Sequence, residues 1–273
     1  MDRKAFFDAL RGSSAFAASI PQSAVETIDA ILDEGERRGT KLTHLAYILA
    51  TARWECGEDM TPKRENLYFT SAKRIRQVWP SRFKSDAAAQ PFVKNPRALA
   101  NQVYNGRMGN RPGSDDGYRY RGGGLPQLTG AENYQRAGRA LGLALADDPD
   151  LMLDLGIAIM VMFEGMINGW FTGYSLADAE RIPGYTDDRK IINGTDQALV
   201  VARIAGAFED ALEAGGWPKD GPEPSGMLAI SAARPAPRHS EDEEAIAWAE
   251  WINGAPPGAL AWLRGMPLRE GEA

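Results

Sequence analysis

The spacing of apolar residues along the chain is typical of a mainly helical protein. Between 23 and 34, Val25, Ile28 and Leu32 recur at three- and four-residue steps. The stretch 41–55 repeats this spacing and stops before Gly57. Such steps place apolar side chains on one face of a helix, and glycine commonly follows a helix end. We therefore predict two amphipathic helices near the N-terminus.

Shorter segments with the same spacing predict further helices at 71–79, 95–104, 131–142, 148–168, 174–181 and 195–213. Strand signals are few and short, around 118–121 and 125–128. Between 105 and 130 eight glycines interrupt any periodicity. Loops of this length without secondary structure are usually functional or disordered. The fold class we predict is mainly α, wrapped around one long Gly-rich loop with few short strands.

The composition changes after Trp217. We predict a main domain over 1–217, a linker rich in Pro, Gly and Ser over 218–240, and a helical tail over 241–273 with three tryptophans. This tail could dock on the main domain, on a partner or cell wall, or on nothing.

Charge and residue counts exclude several classes of function. A net charge of −6 and a pI near 5.2 argue against a nucleic-acid partner. One cysteine permits no intrachain disulfide, and two histidines without ligand spacing make a metal site unexpected. We also expect neither a transmembrane segment nor a signal peptide. The protein would be made in the cytoplasm, and any target outside would require delivery.

A carboxylate ends the apolar stripe of the second helix. Leu45, Ile48, Ala52 and Glu55 follow at steps of three, four and three, so Glu55 should be buried at the helix C-terminus. Burial and the negative end of the helix dipole both disfavour an ionised carboxyl. We therefore expect a raised pKa and a protonated Glu55 near neutral pH, as a general acid requires.

A second glutamate, Glu65, follows ten residues later, beyond the stop at Gly57. A loop returning past the helix end could bring the two carboxyls together. In inverting glycosidases the two groups lie roughly 6.5–9.5 Å apart, which leaves room for a water. The pair would then be a general acid and a general base.

Structural alternatives stay open for these acidic residues. Glu55 could instead cap the helix or form a salt bridge with Arg53 or Arg121. Glu58 and Asp59 compete for the second role, but nothing apolar surrounds them in sequence, so solvated loop charges are the simpler interpretation.

The Gly-rich loop does not have the sequence of a phosphate-binding loop. RGGG lacks a following Gly-Lys-Ser/Thr and precedes LPQLTG rather than a helix. Its glycines would let the backbone approach a ligand closely. Nearby groups suited to neutral sugars are Tyr118, Arg119, Tyr120, Arg121, Gln127 and Asn133. The alternative is a surface loop with buried tyrosines.

Three stretches in order resemble glycoside hydrolase family 19, which comprises chitinases and related phage endolysins. They are HLAYILATARWECG…PKREN, YRYRGGGLPQLTGAENY and RKIINGT, and VYNGRMGN is similar to the endolysin branch. The resemblance spans roughly residues 25–215. It implies a lysozyme-like two-lobed helical fold and hydrolysis of β-1,4 bonds between N-acetylated amino sugars, with inversion and without a cofactor.

The resemblance also implies roles for single residues. Glu55 matches the general acid and Glu65 the general base. The substrate-binding set is Tyr118, Arg121, Gln127, Thr129, Asn133 and Asn193. A supporting set comprises Trp54, Ser71 and Arg203, of which Arg203 falls where the family often places an arginine paired with a cleft acid.

Four positions depart from the family pattern. Trp54 replaces a histidine, Cys56 a threonine, Gly123 an arginine and Pro126 an apolar β-branched residue. None of these changes removes a carboxylate. The lost histidine and arginine would have supplied hydrogen bonds around the acids.

Three functions follow as hypotheses. The first is a peptidoglycan hydrolase of the endolysin or muramidase type, released to the cell wall by a holin, a virion or a secretion system. The second is a chitinase on the same fold, acting on a chitin-like polysaccharide. The third is a cell-wall-binding or virion structural protein with impaired catalysis, which the changes at Trp54, Cys56 and Gly123 motivate.

Overall fold

A computed structural model describes residues 1–180, 184–192 and 197–225, and within these ranges it confirms a mainly helical fold. The α-helices are α1 Arg3–Leu10, α2 Gln22–Arg38, α3 Leu42–Cys56, α4 Ala72–Val78, α5 Asp86–Ala89, α6 Pro96–Tyr104, α7 Asp116–Arg119, α8 Ala131–Leu141, α9 Leu155–Ile167, α10 Leu176–Ala179 and α11 Ala198–Ala214. Short 3-10 helices span Gln90–Phe92, Pro149–Leu153 and Asp187–Ile191. Two strands, β1 Lys63–Arg64 and β2 Gly123–Gly124, pair antiparallel.

Side-chain caps explain several helix starts. The Asn95 side chain accepts from the Ala98 amide at the start of α6, and Pro96 occupies the first helical position, where its missing N–H costs nothing. Asp154 likewise caps α9 by accepting from the Ile157 amide at 2.9 Å.

The largest hydrophobic core surrounds α3. This helix packs against α2, α9 and α11, and nearly its whole circumference is buried, including Leu45, Tyr47, Ile48 and Leu49. A smaller core lies between α4 and α6, and a third between α8 and α9. Because α3 is enclosed on all sides, its C-terminal residues have a fixed position inside the protein.

The structure corrects several local predictions. The strands predicted at 118–121 and 125–128 are wrong, because α7 occupies 116–119 and the real strands are β1 and β2. Two asparagines of α6 stabilise α7: Asn105 accepts from the Gly117 amide, and Asn101 accepts from the Tyr118 amide. The predicted loop 105–130 therefore contains secondary structure of its own.

Two further differences concern helices. The single helix predicted at 148–168 is divided, because Asp154 is extended (φ −70°, ψ 126°) between the 3-10 helix and α9. Helix α1 was not predicted, and it packs on α11 through Phe6 and Leu10.

The described chain continues past the proposed end of the main domain. Trp217 is buried and donates from Nε1 to the Thr40 carbonyl at 3.0 Å. Lys219 accepts from the Leu42 amide, and the Ser225 amide donates to the Arg37 carbonyl. The first part of the predicted linker thus packs beside α2 and α3, while the rest of the linker and the predicted tail lie outside the described residues. In the part of the chain that is described, no helix has the length and hydropathy needed to span a membrane.

Candidate functional site

Glu55 lies in the last turn of α3, where the apolar stripe predicts it. It is only 8% exposed. The following residue, Cys56, contacts the carbonyl oxygens of Gly124 and Leu125 through its sulfur, at 3.8 and 3.5 Å. The end of α3 is thereby anchored to the segment that follows β2.

A buried arginine faces Glu55. Arg189, in the 3-10 helix Asp187–Ile191, is 1% exposed and donates from Nη1 to Glu55 Oε1 at 2.8 Å. The sequence-based expectation considered burial and the helix dipole alone, so it omitted a cation that acts against both effects. The open alternative of a salt bridge was correct in kind, but its partner is neither Arg53 nor Arg121. Arg53 binds the Ala15 carbonyl and Glu58.

Glu65 is held by the short sheet. It directly follows β1, and its amide donates to the Gly122 carbonyl at 2.8 Å. Tyr104, at the end of α6, donates from its hydroxyl to the Glu65 carboxylate, with Oη 2.9 and 3.1 Å from the two oxygens. The Gly122 amide donates to Oε2 at 3.3 Å. These contacts fix both the backbone and the carboxylate of Glu65.

Burial dominates the electrostatics of Glu65, which is 5% exposed. Burial raises the pKa of Glu65 to about 7, while the hydrogen bonds from Tyr104 and Gly122 and the charges of Arg121 and Arg64 act in the opposite direction. Glu65 is therefore close to half-protonation at neutral pH.

Gln127 links strands β1 and β2 through its side chain. Its side-chain nitrogen donates to the carbonyls of Lys63 at 3.1 Å and Gly124 at 2.9 Å, on the two strands. Its backbone is left-handed (φ 51°), which is uncommon for a non-glycine residue. Glu65 and the end of α3 are thus both attached to the segment 122–127.

The glycines of this segment lie close to protein side chains, and their approach to a ligand stays a prediction. A Cβ at Gly122 would lie 2.6 Å from Gln127 Oε1 and 3.1 Å from Glu65 Cβ. A Cβ at Gly123 would lie 2.4 Å from Tyr134 Oη and 2.8 Å from Arg64 Nη1. Real Cβ atoms do not approach this closely, so the two glycines are required by packing around Glu65.

The same packing accounts for one departure from the family pattern. Position 123 lacks the expected arginine, but the guanidinium of Arg64 lies beside it and binds Tyr134 Oη and the Arg119 carbonyl. Arg64 is buried. A positive charge is therefore present next to Glu65 although residue 123 carries none.

The remaining described residues of the predicted substrate-binding set make contacts with other parts of the protein. Arg121 stacks on the Tyr118 ring, with Cζ 3.9 Å from the ring centroid, and donates to the Glu65 carbonyl at 3.0 Å. Thr129 donates to the Gln127 carbonyl, and Asn133 donates to the Thr129 carbonyl. Their roles toward a substrate stay predictions, since each of these bonds is internal to the protein.

The supporting set is dispersed. Trp54 is half-buried and packs on the main core. Ser71 is exposed, and its carbonyl accepts from the Ile75 amide at the start of α4. Arg203 is exposed on α11, so the arginine that contacts Glu55 is Arg189 instead. Asn193 lies outside the described residues.

The remaining candidate groups near the acids are accounted for by local contacts. Glu58 is exposed and Asp59 binds Thr61 and Lys63, as expected for loop charges. Burial raises the pKa of the Cys56 thiol to about 12, which makes it unreactive. Among the described residues no group of three or more His, Cys, Asp or Glu side chains is arranged to hold a metal ion.

Sequence reasoning missed three residues of this centre, namely Arg189, Tyr104 and Arg64. Arg189 and Tyr104 stand in the quoted family stretches RKIINGT and VYNGRMGN, which was the available signal. Nothing in the local pattern around Arg64 predicts that its charge is buried.

Comparison with known proteins agrees with the site. No family model matches the chain. A "Glycosyl hydrolase family 19 domain-containing protein" of Haemophilus influenzae is 31% identical over 145 residues, which are 51% of this chain and 68% of that protein. "Chitinase 8" of Oryza sativa subsp. japonica is 40% identical over 93 residues, 28% of this chain and 34% of the relative. The chain therefore belongs to glycoside hydrolase family 19 and is a chitinase-like glycoside hydrolase.

Proposed function

We propose that the protein is a peptidoglycan hydrolase of the endolysin type, which cleaves β-1,4 bonds between N-acetylated amino sugars with inversion. The observation that carries the proposal is the pair of buried glutamates, Glu55 and Glu65, anchored to one short segment, 122–127. Burying a carboxyl costs free energy unless it is paired or hydrogen-bonded, and both glutamates are held in this way.

In this proposal Glu65 is the general base. A base works best when its pKa lies close to the working pH, and burial brings the pKa of Glu65 to about 7. Tyr104 and the Gly122 amide orient its carboxylate. Glu65 would take a proton from the water that attacks the sugar on the face opposite the leaving group.

Glu55 is the proposed general acid, as the family resemblance implies. It must carry a proton when the glycosidic oxygen leaves, although Arg189 contacts its carboxylate in the free protein. We propose that a bound sugar weakens the contact between Arg189 and Glu55, so that the Glu55 carboxyl faces the glycosidic oxygen.

The chain's chitinase relative favours a second candidate substrate, chitin. Chitin lacks the lactyl-peptide groups that peptidoglycan carries on alternate sugars, so the two substrates differ in the cleft width they require. We propose that a holin, a virion or a secretion system delivers the protein to peptidoglycan.

Turbidity loss of purified peptidoglycan, measured beside release of sugar from chitin oligosaccharides, tests the substrate. We expect faster clearing of peptidoglycan, and proton NMR of the first product should show the α-anomer. Preferential release from chitin would select the second candidate. No turnover of either substrate by the folded protein would contradict hydrolysis and favour a binding role.

Tyr104→Phe tests the base. The variant loses the hydrogen bonds that lower the pKa of Glu65, so that pKa should rise further. Because a base must be ionised, the acidic limb of the kcat/KM profile should move to higher pH by about one unit, the size of one hydrogen bond to a charged group. Tyr68→Phe is the matched control, since Tyr68 is a half-buried tyrosine of the same region. An unchanged acidic limb would contradict the assignment.

A further inference from the structure

A cavity lies at the N-terminal end of α3, opposite to the end that carries Glu55. It has a volume of about 400 Å³ and is formed by α3, α10, α11 and the 3-10 helix Asp187–Ile191. Its lining includes Thr43, His44, Leu176, Tyr185, Asp188 and Glu209. His44 precedes Glu55 by eleven residues, which corresponds to about 16 Å along the helix. The cavity is therefore separate from the two glutamates.

Asp188 has a carboxylate oxygen in this cavity whose hydrogen bonding is not satisfied by the described residues. The residue is 7% exposed, and within the described chain its Oδ1 has no hydrogen-bond partner. Buried carboxylate oxygens are normally satisfied by donors. The neighbouring residue Arg189 donates from Nη1 to Glu55, so this nitrogen belongs to the site of the two glutamates.

The charges around the cavity do not neutralise Asp188. Glu180 is compensated by Lys41, whose Nζ lies 2.8 Å from its Oε1, and His44 Nε2 lies 2.9 Å from the same oxygen. Burial lowers the pKa of His44, which makes the imidazole mainly neutral. Glu209 on α11 adds a second carboxylate, and Asp187 is bound to Lys190. Burial and the charge of Asp187 raise the pKa of Asp188 to about 7, as expected when no cation faces the carboxylate.

We propose that this cavity binds a primary ammonium group, which Asp188 and Glu209 hold from opposite elements. A primary ammonium offers three donors and one positive charge, which would satisfy the unpartnered Oδ1 of Asp188. Leu176 and Ala179 of α10 and the Tyr185 ring supply apolar surface for the carbon chain beside it. This inference goes beyond glycan hydrolysis and does not depend on it.

Titration of the full chain with 1,5-diaminopentane, followed by calorimetry, tests the site. We expect saturable binding to one site per chain. Asp188→Asn should weaken it about tenfold or more, the effect of losing one charged hydrogen bond. Asp210→Asn, at an exposed position next to Glu209 on α11, should change the Kd less than about twofold, because that side chain lies outside the cavity lining.

Glu209→Gln provides a second test from a different helix, and thermal unfolding confirms that each variant is folded. Asp188→Asn removes a buried charge, so it should not lower the Tm above pH 7. Absence of saturable binding, or equal binding by the wild type and both cavity variants, would overturn the proposal.

Primary ammonium groups occur both on lysine-type side chains of peptides and on deacetylated amino sugars. Parallel titrations with a lysine-containing tripeptide and with glucosamine distinguish these sources by their Kd values. N-acetylglucosamine is the neutral control. If Asp188→Asn weakened its binding as much as that of glucosamine, recognition of the ammonium would be disproved.

Discussion

Glu55→Gln is expected to lose at least about 100-fold in kcat/KM, the usual contribution of a general acid. The same change should also destabilise the fold. Arg189 is buried and donates to Glu55 at 2.8 Å, so the variant withdraws a negative charge from a guanidinium that has little access to water. Breaking a buried pair on one side typically costs about 3 kcal/mol or more.

Urea unfolding at pH 7 measures the change in stability. Turnover of peptidoglycan or chitin, whichever the wild type hydrolyses faster, measures the change in activity. Glu58→Gln is the matched control, because Glu58 also pairs with an arginine, Arg53, but its own side chain is exposed. The control should change the free energy of unfolding by less than about 0.5 kcal/mol. Full activity in Glu55→Gln would remove Glu55 from the mechanism, and unchanged stability would show that the contact with Arg189 contributes little.

Local patterns were sufficient to place Glu55. The apolar steps from Leu45 to Ala52 define one face of a single helix, and a residue three positions further must continue it. The charge that meets Glu55 could not be derived in this way, because Arg189 is 134 residues distant in sequence and reaches it only through tertiary packing.

The burial of Glu65, in contrast to that of Glu55, could not be predicted from the local pattern. Glu65 was selected by its distance from Glu55 in sequence and by the family resemblance. Its enclosure comes from Tyr104 on α6 and from the backbone of Gly122. Glycine has low strand propensity, so β2 was missed although it holds the site together.

The arginine at position 64 bears on the hypothesis of impaired catalysis. Gly123 alone suggests that a positive charge beside the acids was lost. The structure places the Arg64 guanidinium against this glycine, where a side chain on residue 123 would collide with it. A sequence comparison treats positions 64 and 123 separately. In the structure the two residues are in contact, so Arg64 and Gly123 have to be considered together.

Glu65→Gln is expected to inactivate the enzyme and to stabilise it above neutral pH. In the folded protein burial raises the pKa of Glu65 to about 7, against 4.5 for an ordinary glutamate. Between these two values the folded state holds a proton that the unfolded state has released. The free energy of unfolding of the wild type therefore falls as the pH rises from 4.5 to 7, and the full cost applies above pH 7.

Glutamine has nearly the same shape, still accepts from Tyr104, and carries no charge to desolvate. At pH 8 the variant should exceed the wild type in free energy of unfolding by up to about 3 kcal/mol, while at pH 4 the two should be equal. Urea unfolding at pH 4, 6 and 8 measures the difference, and Glu26→Gln, on an exposed face of α2, is the control. Activity should fall at least about 100-fold at every pH. A stability difference that did not grow between pH 4 and 8 would show that Glu65 ionises as readily in the folded protein as in water.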